Sequence, residues 1–207
     1  MTGDPFADVA QFEKQLGLPE GFYNRLLKED DWSFVIKLNA LFEAAATHIL
    51  VVRLQAPEIE EALAHLDFAH SKYGKVVLLR KLDAINKEQA ALLRMIAELR
   101  NDLVHDVSSV GFSFSAHVSS LDQNQLERLI SAFGRGIADP VPIGKKDIPR
   151  KEFVKSNPKI ALWLTSIEVL ACLYLEKEMT DLRLKQLTYD EATKVLSLSM
   201  PTSFTTR

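Results

Sequence analysis

Residues 34–52 read FVIKLNALFEAAATHILVV, and they are the most informative part of the chain for its architecture. Wound as an α-helix, this segment is apolar around most of its circumference, which is typical of a helix at the centre of a bundle. Asp30 or Asp31 can cap its N-terminus, and Pro57 stops it after about Ala56. We therefore predict an all-α protein, a helical bundle built around this long helix.

Helical periodicity continues on both sides of the central helix. Capping residues and prolines divide the flanking sequence into further predicted helices, at 4–16, 19–28, 57–66, 71–84, 87–106, 122–133, 158–186 and around 189–196. Residues 108–120 contain Gly111, several serines and the alternating pair Phe112 and Phe114, so we predict a loop or a short hairpin arm there. The bundle is thus expected to carry a short irregular or hairpin insertion and extra helices at both ends.

The predicted elements group into four sections of the chain. Residues 1–30 form an N-terminal helical appendage, and residues 31–137 form the core of the bundle. Residues 138–157 combine proline, glycine and basic residues, a composition typical of a linker. Residues 158–207 supply a C-terminal helix that packs on the bundle, followed by a tail.

The composition is that of an ordinary globular chain. Of the 207 residues, 47% are hydrophobic and 26% are charged, and the formal net charge is −3. These values exclude wholesale disorder and a broadly basic surface for nucleic acid, but they leave room for a small basic groove. The single cysteine, Cys172, excludes an internal disulfide and a cysteine-rich zinc site.

The sequence also bears on location and cofactors. The N-terminus has no basic segment followed by an apolar run, so we predict no signal peptide. The most apolar stretch, Ile160–Leu175, has about 16 residues and is interrupted by polar side chains, whereas a bilayer span needs roughly 20. We expect a cytoplasmic protein with no membrane partner. No histidine and carboxylate group has the spacing of a metal site, so no metal and no other cofactor is expected.

A distinctive motif ends the helix predicted at 87–106, where residues 98–106 read ELRNDLVHD. An arginine is followed directly by a polar residue, and four residues separate the arginine from a histidine. This motif resembles the HEPN superfamily, whose signature is Arg, four to six residues and His, with Asn, Asp or His often next to the Arg. The matching residues are Arg100, Asn101 and His105.

A narrower resemblance covers residues 68–114. GKVVLLR at 74–80, Ala84-Ile85-Asn86 and the motif itself look similar to the mannitol operon repressor branch of these all-helical proteins. The resemblance implies a helical bundle that is commonly dimeric. In catalytic members it implies metal-independent RNA cleavage, and in other members it implies nucleotide binding or a purely protein-binding role.

The residue types of the motif suit RNA cleavage. The imidazole of His105 can act as the base or acid for the 2′-hydroxyl and the leaving oxygen. The guanidinium of Arg100 offers a planar set of donors that matches the oxygens of a pentacovalent phosphate. Asn101 can orient either partner by hydrogen bonding.

Helical geometry separates two of these side chains. The apolar stripe comprises Leu92, Met95, Ile96, Leu99 and Leu103, and Asn101 and His105 lie roughly opposite it with Arg94 and Glu98. Arg100 lies on the flank of the stripe, about 140° from His105. Either the helix loosens near His105, or two protomers of a homodimer share a composite site, and we favour the shared site.

Several other residues are candidates for supporting roles. The carboxylate of Glu43 could pair with Arg100 or position His105. Alternatively, Glu43 forms a half-buried ion pair that only fixes the register of its helix. Asp102 is a second supporting carboxylate, although an ion pair with it would make Arg100 structural. Four cations of the predicted linker are candidate contacts to RNA phosphates, or merely solvated charges, and they are Lys145, Lys146, Arg150 and Lys151.

These observations leave three functions open. The first is a HEPN-type endoribonuclease of a toxin or defence system, which acts on single-stranded RNA and is held in check by a protein partner such as an antitoxin. The second is a non-catalytic regulatory or protein-interaction module similar to the mannitol operon repressor branch. The third is a nucleotide-binding module. We rank the ribonuclease slightly ahead of the regulatory module.

Overall fold

The computed structural model describes residues 4–105 and 107–199. The α-helices of this part of the chain are α1 Pro5–Gln15, α2 Phe22–Leu26, α3 Asp31–Leu54, α4 Glu60–His65, α5 Lys75–Lys81, α6 Lys87–His105, α7 Phe114–Ser120, α8 Gln123–Phe133, α9 Arg150–Ser156 and α10 Pro158–Ser199. Two 3₁₀ turns, Pro57–Ile59 and Val107–Gly111, and a two-stranded antiparallel sheet, β1 Val141–Ile143 and β2 Lys146–Ile148, accompany them. The predicted all-α class is confirmed.

Helix α3 lies at the centre of the bundle. Its N-cap is Asp30, whose carboxylate accepts a hydrogen bond from the Ser33 N–H at 2.9 Å. The helix packs against α4, α5, α6 and α10. Its fully buried side chains are Phe34, Val35, Leu38, Phe42, Ala45, Ala46, Ile49 and Leu50. Burial of each large apolar side chain among them contributes roughly 1.5–3 kcal/mol, so this segment supplies much of the free energy of folding.

Helix α10 is the second long helix and runs without a break from Pro158 to Ser199. The predicted end near Gln186 and the separate short helix around 189–196 are wrong. Neither proline nor glycine occurs between residues 159 and 199, so nothing in the backbone chemistry stops the helix. Its first half packs against α1, α3 and α9, whereas nearly every side chain from Leu182 to Val195 is exposed.

The N-terminal section packs along α10. The buried carboxylate of Glu13 on α1 accepts hydrogen bonds from the Gly21 N–H at 3.1 Å and from the Tyr23 N–H at 2.5 Å. Tyr23 then stacks on Trp163 of α10, with ring centroids 5.3 Å apart. A charged group at a buried position is satisfied by backbone donors, and residues 4–30 are thereby held against the C-terminal helix.

Helix caps fall where the sequence places them. Asp4 caps α1, and Asn86 precedes α6, accepting from the Gln89 N–H at 2.9 Å. Asp122 and Gln125 form a reciprocal capping box at the start of α8. The sequence predicts these caps correctly because a cap needs only residues within one turn of each other.

Residues 108–120 differ from the predicted loop or hairpin arm. They form a 3₁₀ turn and then α7, which Ser113 caps by accepting from the Ala116 N–H at 3.1 Å. Phe114 is buried, and the centroid of its ring lies 5.9 Å from that of Phe34 on α3. The alternation of Phe112 and Phe114 is misleading because Ser113 between them starts a helix.

Residues 138–157, the predicted linker, contain regular structure. Strands β1 and β2 form a hairpin in which Val141 pairs with Ile148, and α9 follows immediately. Phe153 of α9 is 7% exposed and Val154 is fully buried. This section therefore contributes two core side chains, and it packs against α8 and α10.

Two helices, α3 and most of α10, are long and apolar enough to cross a membrane by length and composition alone. In each of them, 56% of the most apolar window is buried inside this molecule. Core helices of globular domains share these properties, so the pattern is weak support for a membrane span.

Candidate functional site

The motif residues lie on the last turns of α6. Leu92, Ile96, Leu99 and Leu103 are buried along the predicted apolar stripe, and the helix remains α-helical as far as His105. Asn101, Asp102 and His105 are exposed, and Arg100 is half-buried on the flank of the stripe. The helix therefore does not loosen within the described part of the motif.

Arg100 and Asn101 contact each other directly. The Arg100 Nη1 donates a hydrogen bond to the Asn101 Oδ1 at 3.0 Å. Asn101 lies one turn before His105 on the same face of α6. Neither Asp102 nor Glu98 forms an ion pair with Arg100 among the described residues.

The start of α3 fixes the end of α6. The Trp32 Nε1 donates a hydrogen bond to the Leu103 carbonyl at 3.2 Å, which satisfies one of the last carbonyls of the helix. The neighbouring Asp31 carboxylate accepts from the Phe114 N–H at 2.9 Å and pairs with Lys159 of α10 at 3.2 Å. The motif is therefore presented by packed helices, so its orientation relative to the bundle is defined.

A second histidine, His117 of α7, borders the same region. Burial lowers the pKa of His117, while the nearby Asp102 carboxylate acts in the opposite direction. The ring also lies 5.7 Å from that of Phe112, and it lines a small hollow of about 160 Å³ with Glu98 and Arg128. The sequence reading missed this residue because it placed His117 in a loop without an evident partner.

The signal for His117 is present in the sequence. Ser113 is a good N-cap, and Phe114, Val118 and Leu121 follow at the spacing of one helical face. Reading that pattern as a helix places His117 next to the buried Val118 and not in a solvated loop.

A larger groove runs beside the α6 polar face. Its volume is about 750 Å³, and its walls come from α6, α8, the turn at 134–136 and the start of α9. Arg94 and Glu98, which share the polar face of α6 with Asn101 and His105, line one wall. The other wall includes Glu127 and Arg128 of α8, and Arg135 lies at the turn.

Glu43 is held by Lys75. The Lys75 Nζ lies 3.3 Å from the Glu43 Oε1 and donates to the Ala64 carbonyl at 3.0 Å. The Lys75 side chain is only 1% exposed, whereas that of Glu43 is 37% exposed. This pairing ties α3, α4 and α5 together and matches the register-fixing alternative, and no described contact links Glu43 to Arg100 or His105.

The four cations of residues 145–151 divide into two pairs. Lys145 and Lys146 are exposed at the turn of the hairpin and beside it. Arg150 lines the groove and lies 3.7 Å from Asp139, and Lys151 pairs with Glu127. Arg150 and Lys151 are therefore already partnered, and the hairpin lysines are the solvated members of this group.

No group of three or more metal-ligating side chains occurs in residues 4–105 and 107–199. The side chains of the motif offer an imidazole for general acid and base chemistry and guanidinium donors for an anion.

No protein-family model matches this chain, and no curated protein or solved structure matches it either.

Proposed function

We propose that this protein is a metal-independent endoribonuclease that cleaves single-stranded RNA in the cytoplasm. The observation that carries the proposal is the exposed array at the end of α6, in which Arg100 donates to Asn101 and His105 follows one turn later. An arginine and a histidine that served only as scaffolding would be expected to have structural partners. Neither forms an ion pair among the described residues.

The proposed chemistry is a transesterification. His105 accepts the proton of the ribose 2′-hydroxyl, the 2′-oxygen attacks phosphorus, and the bond to the 5′-oxygen breaks as that oxygen receives a proton from water. Arg100 stabilises the negative charge that builds up on the phosphate oxygens. Asn101 holds the guanidinium in place through its side-chain oxygen. The products are a 2′,3′-cyclic phosphate end and a 5′-hydroxyl end.

A two-fold dimer would complete the site. Because Arg100 and His105 project from one regular helix about 140° apart, a single protomer does not aim both at the same phosphate. Apposition of two α6 polar faces would bring the arginine of one protomer to the histidine of its partner. A toxin or defence role, with an antitoxin-like protein partner, belongs to the same proposal.

The decisive experiment measures RNA cleavage in EDTA. Wild-type protein is expected to generate cyclic phosphate ends on single-stranded RNA, and His105→Ala is expected to reduce the rate by about 10²–10⁴-fold because the general base is lost. His65→Ala, which removes an exposed histidine of α4, is the matched control and should retain full activity.

Equal inactivity of wild type and His105→Ala, with a protein partner still bound by both, would favour the non-catalytic regulatory module. Cleavage that survives in His105→Ala but is lost in His117→Ala would identify His117 of α7 as the general base.

A further inference from the structure

The groove beside α6 contains two arginines that have no partner in the described structure. Arg94 projects from α6 and Arg128 from α8, and they line the groove from opposite walls. Neither forms a hydrogen bond or an ion pair with any described residue. Guanidinium groups without a protein partner that line one groove favour a bound anion, whose oxygens accept from their N–H donors.

The carboxylates of the groove are mostly neutralised by other cations. Glu127 pairs with Lys151, and Glu88 lies 3.6 Å from the Arg135 guanidinium. Glu98 is the one lining carboxylate without an ion pair in the described part of the chain. Among the lining side chains that form no ion pair with a described residue, two arginines therefore accompany one carboxylate.

Arg135, at the turn after α8, also lines the groove but is engaged by two carboxylates. Its Nη2 donates to Glu168 of α10 at 2.5 Å, and its Nε lies 3.6 Å from the Glu88 Oε2. The arginines left to contact a ligand are therefore Arg94 and Arg128.

The groove lies along the same face of α6 as Asn101 and His105, and its lining on this helix ends at Glu98. Arg94, Glu98, Asn101 and His105 fall within about 60° of one another around α6. Arg94 precedes His105 by about 16 Å along the helix axis, a distance that an extended nucleic-acid strand of a few nucleotides spans.

We propose that this groove binds the phosphate backbone of single-stranded RNA, with Arg94 and Arg128 contacting phosphates and the strand leading along α6 to His105. The inference rests on RNA as the ligand of the proposed function, but it does not depend on cleavage. Phosphate contacts carry no base information, so the groove is expected to position the strand without selecting its sequence.

Binding is tested with a fluorescein-labelled oligouridylate of 2′-O-methyl nucleotides, which lacks the attacking hydroxyl and so cannot be cleaved. Fluorescence anisotropy over a range of salt concentrations gives the dissociation constant and its salt dependence. Arg94→Ala/Arg128→Ala is expected to weaken binding by about tenfold or more. It should also make the slope of log affinity against log salt shallower by about 1.4, since each phosphate contact to a single strand contributes about 0.7 to that slope and two contacts are removed.

The matched control is Arg183→Ala/Lys185→Ala, which removes the same charge from exposed positions of α10. These positions lie about 22 Å or more along α10 from Glu168, beside the groove. The control should leave affinity and salt slope close to wild type. Circular dichroism should show that both variants fold, because Arg94 and Arg128 hold no described partner.

Unchanged affinity and salt slope in Arg94→Ala/Arg128→Ala would overturn this inference, and so would equally tight binding of polyglutamate, which would assign the groove to acidic protein segments. The two proposals fail separately. An inactive wild type that binds the oligonucleotide through Arg94 and Arg128 contradicts only the ribonuclease. An active enzyme whose KM is unaffected by loss of both arginines contradicts only the groove.

Discussion

At the scale of single residues, the partners of a charged side chain distinguish scaffold from site. Lys75 is buried and bonded to Glu43 and Ala64, so it links three helices. Arg94 and Arg128 have no described partner and line an open groove. Arg100 lies between these cases, because its one described bond is to Asn101, a neutral side chain that orients the guanidinium without cancelling its charge.

The lowered pKa of His48 on α3 predicts that the stability of the protein depends on pH. Burial lowers its pKa, Lys177 lowers it further, and Glu60 and Asp181 oppose these effects. Because the folded pKa lies below the unfolded value of 6.5, the unfolded chain takes up the proton first, and stability falls as the pH drops through 6.5. His117 shifts in the same direction, since burial lowers its pKa as well.

We expect the free energy of unfolding, measured in urea between pH 7.5 and pH 5, to decrease toward acid less steeply in His48→Met than in wild type. His65→Gln, at an exposed position, serves as the control and should keep the wild-type slope. A slope that His48→Met leaves unaltered would show that this imidazole does not contribute.

At the scale of elements, the wrong predictions for residues 108–120 and 138–157 share one cause. Helices α7 and α9 are both seven residues long and lie in segments rich in serine, proline and glycine. A short helix has little intrinsic stability and forms because its apolar side chains pack on the bundle. Phe114 packs on α3, and Phe153 and Val154 are buried, so tertiary contacts stabilise both helices.

Replacement of a buried α9 side chain tests whether residues 138–157 belong to the core. Phe153→Ala is expected to lower the free energy of unfolding by about 3–5 kcal/mol, because it removes a large buried side chain and leaves a cavity. Lys155→Ala, on the exposed side of the same helix, should change it by less than about 0.5 kcal/mol. Denaturant unfolding measures both. A Phe153→Ala effect as small as the control would mean that this section behaves as a linker.

At the scale of the whole molecule, the proposed activity depends on how two copies of the α6 polar face meet. On a regular helix, Arg100 and His105 leave the helix in directions about 140° apart. Two copies related by a two-fold axis would supply two composite sites, each with one residue from each protomer.

Subunit mixing tests this arrangement. Arg100→Ala and His105→Ala are each expected to be inactive alone. After the two variants are mixed in equal amounts and allowed to exchange, about a quarter of wild-type activity should return, because half of the dimers are mixed and each has one intact site. No recovery, with exchange verified by a tag on one variant, would place both residues in the same protomer's site. A monomer by light scattering would also contradict the composite site.

The sequence by itself determined the helical class, the central helix α3, the caps of α1, α6 and α8, and the stripe that buries one face of α6. These features follow from interactions within one or two helical turns and from the pattern of apolar residues. Only the tertiary structure decided that Glu43 pairs with Lys75, that His117 lies near Asp102, and that Arg94 and Arg128 line one groove. Such contacts join residues distant in sequence, and they depend on how helices pack rather than on where each helix begins and ends.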